Sequence, residues 1–549
     1  MPKVPFWVFI LIAILYFCAV GIDTMDVDAS QYAEISREMM QSGDYLHVYD
    51  RGMEYLDKPP FLFWANALSM KVFGVNNFAY KFPSILLALL ALYATYRLAR
   101  LLYNESIGRI AALVLATCQG MFLMTNDVRC DTILMGWVIT SIWLIQEWIS
   151  YHRLRDLLLG CAAISFGMMT KGPIALMVPV FCFASDWVLK GQWKNFFRPA
   201  YLLGLIIIAV LLIPMSIGLY QQFDLHPEKS VNGMTGVSGL RFFYWSQSFG
   251  RITGESPWKN DVDLSFLLQN MVWSFLPWIF LFLPAIVINI IQLARQRFQL
   301  HPYQEWITTG GFLLSYLALG SSAYQLPHYI FVAFPLAAII TAKLLYELIE
   351  ERKHSGVHKV MQPFLIVLSA LLLLVVFVLI FYVFPADLLF IAVWVAGIAA
   401  WFFLAFRKTL TGKMLWLPAA CMIIINVFIT LHIYPSLLKY EVGAVAGKYI
   451  HERAISTENI FVYKMEDPLN ALHFYAQGVI KGTGGIESAD GGSYLLTMES
   501  GLNDLKDKGV AFDIVKQGQF FKVSELTPEF LNPKTREKAT KIYYLVKLK

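Results

Sequence analysis

Charge is what this chain has least of. Only 15% of its 549 residues are Asp, Glu, Lys or Arg, against about 25% in ordinary soluble domains, and mean hydropathy is +0.56. That scarcity excludes a soluble enzyme, and nothing in it calls for a nucleic-acid partner. Cysteine is sparse too. Cys18, Cys118, Cys130, Cys161, Cys182 and Cys421 are scattered, mostly inside apolar runs, and none follows Cys421. This excludes a disulfide framework and a Cys-rich metal site, and the six read as small buried hydrophobes. The first apolar run, Val4 to Ile22, lacks a small-residue cleavage site, and Leu15-Tyr16-Phe17-Cys18 is a poor lipidation site, so it reads as a retained first helix. No internal repeat is visible, which counts against the halves expected of many transporters.

Long hydrophobic runs are what the chain does have. Stretches at 4–22, 80–102, 108–125, 132–150, 157–170, 173–189, 200–220, 265–293, 305–321, 328–348, 361–384, 388–406 and 414–434 are candidate spans, most of them long enough for a hydrocarbon core of about 30 Å. Alternate connections collect the basic residues, among them Arg97, Arg100, Arg109, Arg153, Arg155, Lys190, Arg295, Arg297, Arg352 and Lys353. Short connections of the other set are bare, as in Ser321 to Pro327 and Pro385 to Leu388. The positive-inside rule then puts the N-terminus in the cytoplasm of a bacterial-type inner membrane, the C-terminus outside, and the count at about thirteen spans.

Three segments face outward on this reading: 23–79, 221–264 and everything after 434. The expected organisation is a transmembrane unit over 1–434 and a soluble α/β unit over 435–549. Strand patterns at Glu458–Tyr463, Tyr494–Thr497, Phe512–Val515 and Ile542–Leu548 alternate with helical ones at Pro468–Ala476 and Gly501–Lys508. The run Lys481–Tyr494, rich in Gly, lacks the Lys-Ser/Thr ending of a phosphate loop and reads as a flexible loop.

The first outer segment carries Asp23, Asp26, Asp28, Glu34, Glu38 and Asp44 against a single Arg37. Over Ser30–Gln41, Tyr32, Ile35, Met39 and Met40 share a helical stripe while Glu34, Arg37 and Glu38 face elsewhere. The spacing predicts an amphipathic helix lying in the membrane surface, capped by Asp28 or Ser30, ended by Gly43, with its other acids solvated. Further on, Asp57 and Lys58 precede Pro59-Pro60, which keep Lys58 extended on a loop. There it either snorkels or binds an anionic headgroup. The same outer rim receives "NDVRCD" (Asn126–Asp131) and "MTKGP" (Met169–Pro173), where Lys171 stands out on the side poor in basic residues.

In order along the chain, "YAEISREMM", "DKPP", "CDTIL", "MTKGPIAL", "WSQSFGRI", "FLPW" and "QLPHYI" resemble motifs of the GT-C membrane glycosyltransferases. The likeness covers about residues 1–350 and is greatest to the aminoarabinose lipid A transferases (ArnT) and the protein O-mannosyltransferases, glycosyltransferase families 83 and 39. The resemblance implies a helical polytopic GT-C fold. It also implies transfer of a sugar, with inversion, from a polyprenyl phosphate to a lipid A-type or other envelope glycolipid outside the membrane. A Ser/Thr acceptor on protein is the alternative within the superfamily.

Carried over residue by residue, it makes Asp28 the loop carboxylate of the site, acting as base or orienting acid, and Asp131 the second carboxylate. Asp26-Val27-Asp28 is similar to the degenerate Asp-x-Asp of many members. Lys58, Lys171 and Arg251 would hold the donor phosphate with Tyr329 beside them. Asp26, Glu34, Asp57, Gln325 and His328 would support. Cations suit a phosphate leaving group on which charge accumulates.

The chain departs from the pattern at Gln247 and Ser248, where an acid and a His are common, at Gln325, where Lys is common, and at Gln31, where Arg is common. These departures leave the particular sugar and acceptor open and count against a bound divalent metal, which the carboxylates alone would still admit. Rival classes are a lipid flippase or transporter, whose ionisable groups tend to sit near the bilayer midplane, and an envelope scaffold displaying the C-terminal unit.

Overall fold

The computed structural model describes residues 4–25, 27–255, 258–260, 262–407, 412–465, 469–483 and 491–549. The thirteen apolar stretches are helical over most of their length, but 108–125 and 265–293 are each broken into two helices. By length and composition, seven helices are long and apolar enough to cross a membrane, or eight if the bent pair Glu105–Ala116 and Gln119–Asn126 is one span. Phe6–Gly21, Ile174–Leu189, Ile279–Arg295 and Ile307–Gly320 are apolar but shorter. This is a multi-pass membrane protein. Its three most hydrophobic spans, Ser355–Val383, Ala200–Asp224 and Leu388–Phe406, bury few of their side chains, as lipid-facing helices do. Pro327–Ile349 is almost wholly buried at the centre.

One buried side chain ties several of these helix ends together. Lys81, fully buried in helix Asn77–Leu102, donates to the carbonyls of Ala19, Ile22 and Asn126 at 3.1, 2.8 and 2.7 Å. A buried ammonium needs such partners.

The C-terminal part holds a five-stranded mixed sheet in the order Lys481–Thr483, Ile460–Tyr463, Tyr494–Met498, Lys541–Leu548, Phe512–Phe520. The first three strands pair in parallel and the last two add antiparallel. Leu496 opposite Leu545 and Leu495 opposite Val546 fill its two faces. The expected loop at Lys481–Tyr494 is corrected at its start: Lys481–Thr483 pairs with Phe461–Tyr463 as an edge strand. Residues 484–490 of that loop lie outside the described residues, as does Asp26.

The acidic outer segment also differs from expectation. Its helix, Asp28–Ser42, begins without a side-chain cap from Asp28, and Gly43, at φ +72°, ends it. The helix does not lie free on the membrane surface. It is packed between helices Phe61–Phe73 and Asn470–Ala476, and Glu34 and Arg37 are 1% and 2% exposed. Arg37 Nη2 donates to Glu34 at 2.5 Å, and its Nη1 reaches the carbonyl of Gln477 at 3.2 Å. The face expected to be solvated is covered by the C-terminal part, and a charge buried there must be paired.

Candidate active site

The site assembles from helix ends and loops at one end of the helical bundle. Pro59-Pro60 hold Asp57 and Lys58 in a non-helical approach to helix Phe61–Phe73. Lys58 Nζ donates to the Asp57 carboxylate, and the Asp57 carbonyl accepts from Gln247 Nε2, which joins the two outer loops. Burial alone would depress the Lys58 ammonium, but the adjacent Asp57 carboxylate holds it above its ordinary range. Burial likewise opposes ionisation of Asp57, yet Lys58, Arg251 and Lys171 together keep that carboxyl below its usual value.

Asp131 sits in the first turn of helix Cys130–Tyr151 and Lys171 ends helix Leu154–Lys171, each at the terminus its charge favours. Gly172, at φ +92°, turns the chain away just after the lysine. Lys171 Nζ donates to Asp131 Oδ1 at 2.5 Å, while His328 Nε2 stands 3.6 Å from Asp131 Oδ2. The same ammonium lies 4.0 Å from the centre of the Tyr329 ring, a cation–π contact. Arg251 Nη1 donates to the Tyr329 hydroxyl at 2.7 Å. Its guanidinium lies 5.2 Å from the Tyr324 ring, and its buried Nε has no hydrogen-bond partner among the described residues.

Lys58, Asp131, Lys171, Arg251 and Tyr329 line one cavity of about 90 Å³, with Gln247 and Ser248 on its rim and Leu134, Ile174, Met177 and Val332 as an apolar wall. Three cations line it with one carboxylate, Asp131, and even with Asp57 paired to Lys58 from outside the lining the cavity keeps a surplus positive charge in a desolvated setting. It suits an anion joined to a hydrocarbon.

Asp28 does not line this cavity. Its carboxylate accepts from Arg129 Nη1 at 2.9 Å, and Arg129 Nη2 lies 3.1 Å from Asp127. Arg129 precedes Asp131 by two residues and its charge is felt there, so this pair forms the neighbouring wall. Arg129 was not singled out from the sequence, although it carried the same signal as Lys171: a base on the outer rim, where bases are few. Glu34, expected in support, is instead sealed against Arg37. Gln325 also turns away, its Nε2 donating to the carbonyl of Gly320 at 2.7 Å. Among the described residues, no group of three or more His, Cys, Asp or Glu side chains is arranged to hold a metal ion.

A family model described as dolichyl-phosphate-mannose-protein mannosyltransferase matches residues 57–217. The chain is 27% identical over 332 residues to the undecaprenyl phosphate-alpha-4-amino-4-deoxy-L-arabinose arabinosyl transferase of Edwardsiella ictaluri, covering 59% of this chain and 56% of that protein. It is 27% identical over 324 residues to the protein of the same description from Yersinia enterocolitica, covering 57% and 54%. The chain thus spans about half the length of the curated relatives it matches. Among solved structures, ArnT from Cupriavidus metallidurans bound to undecaprenyl phosphate superposes with a TM-score of 0.70 at 16% identity, covering 98% of both chains. This chain therefore has the fold of that ArnT structure.

Proposed function

We propose that this protein is an inverting glycosyltransferase that takes a sugar from a polyprenyl phosphate and gives it to a lipid A-type or other envelope glycolipid. The observation that carries this is the cavity itself: Lys58, Lys171 and Arg251, from three distant segments, converge beside an apolar wall at the ends of membrane helices. The Edwardsiella and Yersinia relatives, described as undecaprenyl phosphate aminoarabinose transferases, support the donor class.

In this reading, the three cations and the Tyr329 hydroxyl hold the donor phosphate, and Asp131 keeps Lys171 in place. The acceptor oxygen attacks the anomeric carbon from the face opposite the phosphate. The bond from anomeric carbon to phosphate oxygen breaks, and the lipid phosphate leaves with the electron pair. Cations already aimed at the leaving oxygens stabilise the charge that develops there. Asp28, from the neighbouring wall, takes the proton of a hydroxyl acceptor or orients an already ionised phosphate. The N-terminus is placed in the cytoplasm and the site on the periplasmic face, as the Lys/Arg asymmetry supports. The division at about residue 434, with a separate outer α/β unit, belongs to the same reading.

The match of residues 57–217 to a protein mannosyltransferase model favours a second acceptor, a Ser or Thr hydroxyl of a protein. Mass spectrometry of envelope lipids and digested periplasmic proteins, compared between a strain deleted for the gene and its parent, tests both. Loss of one sugar's mass from a lipid supports the first reading, and loss from Ser/Thr peptides the second. If neither changes while a polyprenyl-linked intermediate moves between leaflets, the transferase reading falls to a flippase.

A further inference from the structure

A second charged cleft lies away from the candidate active site, where the sheet domain meets the membrane helices. Its floor is the chain just past the first helix, including Asp23, and the end of segment Lys413–Tyr440, including Lys439. Its roof is helix Val442–Glu452 together with Lys516 of strand Phe512–Phe520. The cleft encloses about 330 Å³. Three ammonium groups, from Lys439, Lys448 and Lys516, face the carboxylates of Asp23 and Glu452.

Only one of the three is spent. Lys448 Nζ lies 2.5 Å from Asp23 Oδ1, whereas Lys439 and Lys516 form no salt bridge among the described residues. Lys516 rests 4.3 Å from the centre of the Tyr449 ring, and burial draws its ammonium below the ordinary lysine range, with Glu452 countering only in part. An anion in the cleft supplies what both free ammoniums lack.

The setting says what kind of anion. Helices Phe6–Cys18 and Lys413–Phe428 are neighbours, and the cleft opens at their common outer end. Ile10 and Ile14 of the first helix, and Leu431 in the helical turn that continues the second, are exposed, so the elements that lead to the cationic mouth also carry apolar surface. Cations beside apolar surface match a ligand that joins an anionic headgroup to acyl chains, and long amphipathic side chains at a membrane interface reach toward such headgroups.

We propose that this cleft binds the phosphate of an anionic glycerophospholipid whose acyl chains lie against these two helices, fastening the sheet domain to the bilayer surface. The site is independent of the transferase reading and requires only that the chain sits in a membrane.

Native mass spectrometry of the full chain in detergent, with added phosphatidylglycerol, tests it. The wild-type protein retains a bound phosphatidylglycerol, and the pair Lys439→Ala/Lys516→Ala lowers its affinity by about thirtyfold, two interfacial cations being lost. Lys439→Arg/Lys516→Arg keeps the lipid, and glycerol phosphate, the same anion without chains, does not bind. Equal phosphatidylglycerol occupancy in wild type and the alanine pair overturns the proposal. So does glycerol phosphate binding as well as the lipid, which makes the cleft a site for free anions. If the alanine pair does not fold, Lys516→Glu, on a half-exposed strand position, is read against the same two outcomes.

Discussion

Arg129 donates to Asp28 at 2.9 Å across 101 positions of chain, and its other terminal nitrogen lies 3.1 Å from Asp127. One guanidinium thereby fixes the loop that carries Asp28 to the turn that carries Asp131. The Arg129 and Asp28 side chains are each about a third exposed, so water screens the pair and its contribution to stability is small. Its value under the proposed function lies in aim.

Replacing Arg129 with Met is therefore expected to slow transfer by about tenfold to a hundredfold, a loss of about 1.4–2.7 kcal/mol of transition-state stabilisation, and to lower the melting temperature as well, because it strands the Asp127 carboxylate, which is 6% exposed. Steady-state kinetics should place the loss in kcat rather than in KM for the donor. An effect on donor KM alone would mean that Arg129 binds donor and does not aim Asp28.

Asp28→Asn removes the carboxylate but keeps its shape and its reach to Arg129. Transfer is expected to fall at least about a hundredfold, as when a general base is lost, while the purified variant elutes and melts like the parent. Full activity in this variant would remove Asp28 from the chemistry.

Lys171→Ala tests a different quantity. Asp131 is 2% exposed and Lys171 is its ion-pair partner at 2.5 Å, so deleting the lysine strands a buried carboxylate. The expected cost is about 3–5 kcal/mol, read as a lower melting temperature in detergent. The double variant Asp131→Asn/Lys171→Met should recover most of that stability and none of the activity. If single and double variants melt alike, the pair is not the buried contact described.

Glu38 gives a pH signature. Burial and the neighbouring Glu34 carboxylate raise its carboxyl to about 7 from an ordinary value of 4.5. The folded form therefore holds this proton over a range in which the unfolded chain has released it. Its contribution to stability is present below pH 4.5 and is lost as pH rises from there to about 7. Glu38→Gln should flatten that part of the melting-temperature profile. An unchanged slope would show that Glu38 ionises normally.

Much of this was legible in the sequence because lipid leaves little freedom. An apolar run of membrane length must become a helix, and a Lys or Asp at its end is conspicuous against such a background. Lys58, Lys171 and the stretch Asn126–Asp131 were singled out this way, whereas Arg251, Tyr329 and the part given to Asp131 came only from the resemblance. What was not legible depends on distant chain. Glu34 and Arg37 look solvated on a helical wheel, and only helix Asn470–Ala476, together with the Gln477 carbonyl 440 positions away, reveals that they are covered. Gln325 was expected at the site by its place in a motif, yet its amide is used by the backbone of Gly320. Asp28 and Asp131 were read as partners in one cavity, but intervening Arg129 sets them on adjoining walls.

The Lys81 ammonium bears on how this architecture drifts. Its three acceptors are main-chain carbonyls, so the side chains at positions 19, 22 and 126 contribute nothing to the bonds. Those positions are free to vary over evolutionary time as far as this tie is concerned, whereas position 81 is not. A single invariant base among interchangeable neighbours is the pattern that descendants of this chain should display.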